Sequence, residues 1–137
     1  MNEYADLKEK ISLGREFKQH LDIAMSMKDD DSVLNHLTGR FYFEILSLSW
    51  IQRKLANAFA GTSKEVSYQN AVQYFHRAYE LNPLWIENIL YLVKCNIALG
   101  HFESAQIFLE KGLIIPVKNE MDSLAHDKLL ELQKLKK

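Results

Sequence analysis

Apolar residues recur at helical spacing along almost the whole chain. Leu21, Ala24 and Met25 fall on one helix face, and so do Ala71, Tyr74, Phe75 and Ala78. Five glycines and two prolines leave little room for hairpins, so the pattern predicts an all-α fold of about eight helices. Two are expected over 3–13 and 15–28 with a break at Gly14. The next runs over 33–46, and later ones over 86–99, 104–115 and 120–136. Between the first group and the next lies Asp29-Asp30-Asp31-Ser32, where Ser32 is the expected N-cap because its hydroxyl can accept an orphan backbone N–H. An Asp triplet also suggests calcium, but no following Gly and distal Glu complete an EF-hand loop.

The apolar pattern repeats itself. "NAVQYFHRAYELNP" (70–83) and "SAQIFLEKGLIIP" (104–116) align at an offset of 34 residues, which carries Ala71 onto Ala105, Phe75 onto Leu109 and Ala78 onto Gly112. Small, large apolar, small and then Pro at that period resembles the tetratricopeptide repeat, a pair of antiparallel helices. In that register Gly39 takes a small-residue position where paired helices approach closely, even though Gly costs a helix about 1 kcal/mol relative to Ala. The register then breaks: the next small residue expected from Gly39 arrives 20 residues late, at Ala71. The intervening "LSLSWIQRKLANAFAGTSKEVS" is itself helical in pattern. Ser49 and Gln52 read as a capping box and Gly61 as a stop, with Trp50, Leu55, Ala58 and Phe59 as anchors. The expected architecture is a right-handed α-solenoid of tetratricopeptide-like helix pairs, with an extra helix inserted at about 50–60 and a C-terminal capping helix that opens near Asn119. The cationic end "LQKLKK" suits that last helix's dipole.

Composition narrows function more than fold. Seventeen basic residues against eighteen acidic ones leave a net charge near zero, which argues against a nucleic-acid binder. The single cysteine, Cys95, excludes an internal disulfide framework and fits a reducing compartment. No apolar run reaches the roughly 18 residues of a membrane span. The opening MNEYADLKEK is charged where a signal peptide is apolar, so the expectation is a cytoplasmic protein.

Two further stretches carry a family resemblance. "HLTGRFYFEILSLSWIQRKLANAFAG" followed by "SYQNAVQYFHRAYELNP" resembles the regulator of microtubule dynamics family in three motifs. They fall on His36 to Glu44, Ser49 to Ala56 and Tyr68 to Phe75, within a similarity running from about Ile11 to the C-terminus. The inserted "SLSWIQRK" is the specific part, because ordinary tetratricopeptide repeats lack it. The resemblance implies a single repeat domain over 1–137, the C-terminal part of a longer architecture. It also implies association with tubulin, microtubules or another cytoskeletal protein, and a place at the spindle or spindle pole. An alternative implied by a vertebrate relative is a phospholipid-binding or lipid-transfer domain at membrane contact sites.

Candidate chemistry is sparse. His20, His36, His76, His101 and His126 show no metal-ligand spacing, no Gly-rich loop stands ready for phosphate, and Cys95 lies among apolar residues as a buried, inert thiol. The expectation is a monomeric, non-catalytic interaction module with no cofactor. In stacked repeats the first helix of each pair lines a groove. Equivalent register places Arg40, Lys94 and, one period on, Lys128 there, with His36 one turn before Arg40. Such cations could hold an acidic peptide. The competing expectation leaves Arg40 and Lys94 solvated or paired with Glu44 and Glu87. Arg53 and Lys54 form a second cationic surface on the inserted helix. Phe41, Tyr42, Phe43, Trp50, Tyr74, Phe75 and Trp85 read as core, with Phe41, Phe43 and Trp85 reaching toward the groove.

Overall fold

The computed structural model describes residues 3–48, 52 and 66–135, and these are helical with no strand among them. In chain order the helices are α1 (Glu3–Met27), α2 (Ser32–Leu46), α3 (Tyr68–Leu81), α4 (Ile86–Ala98), α5 (Phe102–Leu113) and α6 (Glu120–Lys134). Consecutive helices pack on one another, and α4 also meets α2 and α6.

The helix boundaries follow from capping chemistry. Asp31, in an extended conformation, accepts from Leu34 N–H and starts α2; Ser67 and Asn119 do the same for α3 and α6. Ser32 is therefore the first helical residue and not the cap. Any of the four clustered polar residues had the chemistry to cap, and the extended backbone at Asp31 decides among them. Asn35 secures the turn by donating from Nδ2 to the carbonyls of Asp29 and Asp31. At the end of α4, Gly100 takes a left-handed φ of 77°. Its N–H bonds Ile97 and that of His101 bonds Asn96, the paired C-terminal bonds of a Schellman motif.

The expected break at Gly14 does not occur, and α1 is one helix of 25 residues. A single glycine removes only about 1 kcal/mol of helix propensity, too little to offset the helical residues on both sides of it. The expected 50–60 helix lies outside the described residues, apart from Gln52, which is helical.

Two core clusters share α4. One joins Ile86, Ile89, Leu90 and Val93 to Ala105 and Leu109 of α5 and Ala125 and Leu129 of α6. The other joins Tyr91, Leu92 and Cys95 to Tyr42 of α2 and Ala71 and Phe75 of α3. The sequence repeat is visible in this burial: Phe75 and its counterpart Leu109 are both buried, as are Ala78 and Gly112. Gly39 brings α2 against α3, since a Cβ there would meet the Phe75 ring at 2.9 Å. At Gly112 a Cβ would lie 2.7 Å from Leu129 and 2.9 Å from Ile89.

Candidate functional site

The charged face begins with the spacing of three residues on α4. Glu87, Tyr91 and Lys94 lie at i, i+4 and i+7, so they share one side of the helix. Tyr91 supplies the floor: its ring packs edge-on to Phe43 at 5.1 Å and stacks with Phe75 at 5.5 Å. Two cations lie over that ring, Arg40 of α2 at 4.3 Å and Lys94 at 5.1 Å. Lys94 also stands 5.9 Å from the Phe43 ring. Contacts of this kind contribute about 0.5–1 kcal/mol each where solvent reaches them.

The two cations differ in their partners. Arg40 donates from Nη1 to Glu87 at 2.9 Å and from Nε to Glu44 at 3.3 Å. Lys94 and Lys128 have no carboxylate within ion-pair distance among the described residues. Burial pushes the Lys94 ammonium below its ordinary pKa, and the charge of Lys128 on α6 lowers it further, as does Arg40, against the opposing pull of Glu44. Tyr91 is shifted upward, chiefly by burial. Among the described residues, Arg40 brings Glu44 and Glu87 to this face, and the charges of Arg40, Glu44 and Lys128 all reach Lys94.

His36 lies beneath this face instead of lining it: only 2% of its surface is exposed. Its Nδ1 stands 2.8 Å from Asn88 Oδ1, while Asn88 Nδ2 donates to the Phe75 carbonyl at 2.9 Å. With the amide oriented that way, His36 Nδ1 carries the proton and donates, and Nε2 is left with no partner. Trp85 covers the ring at 4.3 Å. Burial lowers the His36 pKa, outweighing the Asn88 bond and Glu87, which raise it. Asn88 so ties α2, α3 and α4 at one buried point. Of the aromatic residues expected to reach a groove, Phe43 packs against Tyr91 and stands beside Lys94. Trp85 covers His36, and Phe41 lines a concavity toward α1.

That concavity, about 420 Å³, lies between α1 and α2. Ile11, Gly14, Phe17, Phe41, Ile45 and Leu48 give it an apolar lining, with Arg40 and Glu44 on its border. Cys95 is fully buried and its thiol is pushed up to about 12 by desolvation, which leaves it protonated and inert. No group of three or more potential metal ligands occurs among the described residues. Arg53 and Lys54 lie outside them.

Tyr91 went unnoticed in the sequence as the floor of the face. The signal was its spacing: it sits three residues before Lys94 and four after Glu87, which fixes all three to one side of α4.

An all-helical protein with a cation-over-aromatic face is the class that fold and site define. Comparison gives the lineage. The family model for Regulator of microtubule dynamics protein 1-3 matches residues 1–137 in full, and the chain belongs to this family. Over 133 residues it is 32% identical to Regulator of microtubule dynamics protein 2 of Rattus norvegicus, a match covering 96% of this chain and 32% of that protein. Against Regulator of microtubule dynamics protein 1 of Caenorhabditis elegans the identity is 35% over 116 residues, covering 85% and 51% respectively. The human Regulator of microtubule dynamics protein 2 is 33% identical over 136 residues, 98% of this chain and 32% of its own length. The chain therefore spans about a third to a half of the curated relatives it matches. None of the described helices is long and apolar enough to cross a membrane.

Proposed function

We propose that this chain is a non-catalytic interaction module that binds tubulin or microtubules through an acidic segment laid across the Tyr91 face. The carrying observation is that Arg40 and Lys94, on different helices, both lie over the Tyr91 ring, at 4.3 and 5.1 Å. Lys94 has no carboxylate within ion-pair distance among the described residues, while the charge of Lys128 on a third helix reaches it. Two cations held together are stabilised by an anion placed between them. The names of the relatives supply the microtubule context. His36 supports the surface from below through Asn88. The helix pairs α2/α3 and α4/α5 are taken as tetratricopeptide-like units of a right-handed solenoid capped by α6. Their equivalent small and large residues, buried alike, support that arrangement. Residues 1–137 act as one such domain, and Arg53 and Lys54 add a second contact surface. The working locations are the cytoplasm and the spindle.

The test is co-sedimentation with microtubules at low and moderate salt. Lys128→Glu, at an exposed position, and Lys94→Glu should each weaken binding severalfold, with the larger loss at low ionic strength, while circular dichroism stays helical. Wild-type binding by the double variant would overturn the assignment of this face. Phospholipid retained through purification and detected by native mass spectrometry would overturn the protein-binding reading itself.

A further inference from the structure

We infer that Glu87 makes the face selective for clustered carboxylates over isolated ones, by occupying Arg40 until an acidic ligand displaces it. This rests on the acidic-segment reading above. Glu87 and Arg40 are 47 positions apart and come from different helices, yet they are joined at 2.9 Å. The pair is well placed to persist. Both side chains are largely sheltered, with 24% and 30% of their surface exposed, and the guanidinium is also pinned over Tyr91. Glu44, more exposed and at 3.3 Å, adds a weaker second hold.

The consequence follows from comparing bonds lost with bonds made. A ligand carboxylate that takes Arg40 exchanges one carboxylate for another, so the exchange is close to balanced. Approaching the remaining guanidinium N–H groups without displacing Glu87 means entering the field of two negative charges. A single ligand carboxylate therefore gains mainly from Lys94 and Lys128. A ligand with several adjacent carboxylates binds those lysines with one group and presents others at Arg40 at high local concentration. Displaced Glu87 returns to solvent from the edge of the site, so the exchange requires no refolding. The ligand class is a run of acidic residues, and Glu87 is its positioning and selectivity residue.

The probes are two labelled peptides of equal length, one with a single glutamate among serines and glycines, the other with six consecutive glutamates. Fluorescence anisotropy gives their affinities for the full chain. Glu87→Gln should tighten the single-glutamate probe at least threefold and narrow the ratio between the two. Removing a negative charge would itself favour anions, so Glu87→Asp is the stricter variant. It keeps the charge but withdraws the carboxylate from Arg40 by one methylene, and should also tighten the single-glutamate probe. In Arg40→Gln/Glu87→Gln that gain should vanish. An unchanged ratio in both Glu87 variants, with binding still lost in Lys94→Glu and Lys128→Glu, overturns the selectivity role and leaves the face intact. Failure of the six-glutamate probe to bind any form overturns both.

Discussion

Helix α4 and helix α1 are both built from apolar residues at helical spacing, yet they live in different surroundings. Along α4 the apolar positions run round the helix, and the fold encloses it: Ile86, Ile89, Leu92 and Cys95 are fully buried, and four other helices (α2, α3, α5 and α6) meet it. Along α1 the packed side is narrow, with Ile11, Lys18 and Leu21 turned toward the protein and α2 as its neighbour among the described helices. Leu13, Phe17, Ile23 and Met27 remain exposed, Met27 by 81%. The contrast shows that helical periodicity fixes an element, while the number of its apolar faces fixes how many partners it has. Stability should be concentrated around α4.

The largest expected effect follows from truncating a ring in each region. Phe75 is fully buried against α2 and α4, so Phe75→Ala should cost about 3–5 kcal/mol. Phe17 is 42% exposed, and Phe17→Ala should cost well under half of that, about 1 kcal/mol or less. Urea denaturation of both variants measures the difference; equal losses would break the comparison.

Glycines sharpen it with opposite signs. Gly39→Ala drives a methyl to 2.9 Å from the Phe75 ring, and overpacking of this kind costs about 1–3 kcal/mol. Among the described residues, a Cβ on Gly14 meets nothing closer than 3.9 Å, from Phe41, inside a continuous helix. Gly14→Ala should therefore stabilise, by about 0.5–1 kcal/mol. Thermal melts that move in the same direction for the two variants would contradict this contrast between the tightly packed α2–α3 contact beside α4 and the open middle of α1.

These cases mark what was legible in the chain. The close approach at Gly39 could be read from the register of small residues. The offset of 34 that carries Ala71 onto Ala105 also carries Ala78 onto Gly112, where the contact was not anticipated. The continuity of α1 could not be read, because a glycine within a helix and one that ends it look alike until neighbouring packing is known. Arg40 and Lys94 were placed on one side by register, and both do lie over Tyr91. What register could not supply was burial. His36 has the same periodic position as an exposed residue would, and only the packing of Trp85 and Asn88 puts it under the surface. Pairing with Glu44 and Glu87, the competing expectation for Arg40 and Lys94, holds for Arg40, which takes both carboxylates. What spacing could not fix is that, among the described residues, Arg40 alone takes Glu87, which depends on how α2 and α4 align across 47 positions.

The smallest expected effect belongs to that buried imidazole. Burial lowers the His36 pKa in the folded protein below its ordinary value near 6.5. Above about pH 6.5 both folded and unfolded chains hold it neutral, and it contributes no pH dependence. As pH falls below that value, the unfolded chain binds a proton that the native state excludes, so stability declines until the folded pKa is reached. The limiting slope for one group is about 1.4 kcal/mol per pH unit. Near the onset the unfolded imidazole is only partly protonated, so the decline is shallower than this limit there. Glu87 and the Asn88 bond, which oppose the shift, bring its lower end to a higher pH, and Arg40, which reinforces it, does the reverse. Urea titrations at pH 7.5 and 5.5 should show wild type losing more stability on acidification than His36→Gln, whose amide takes no proton in that range. Identical losses would mean that His36 is protonated in the folded state, with Nε2 finding an acceptor, and that the seam between α2 and α4 is less closed to charge than its packing implies.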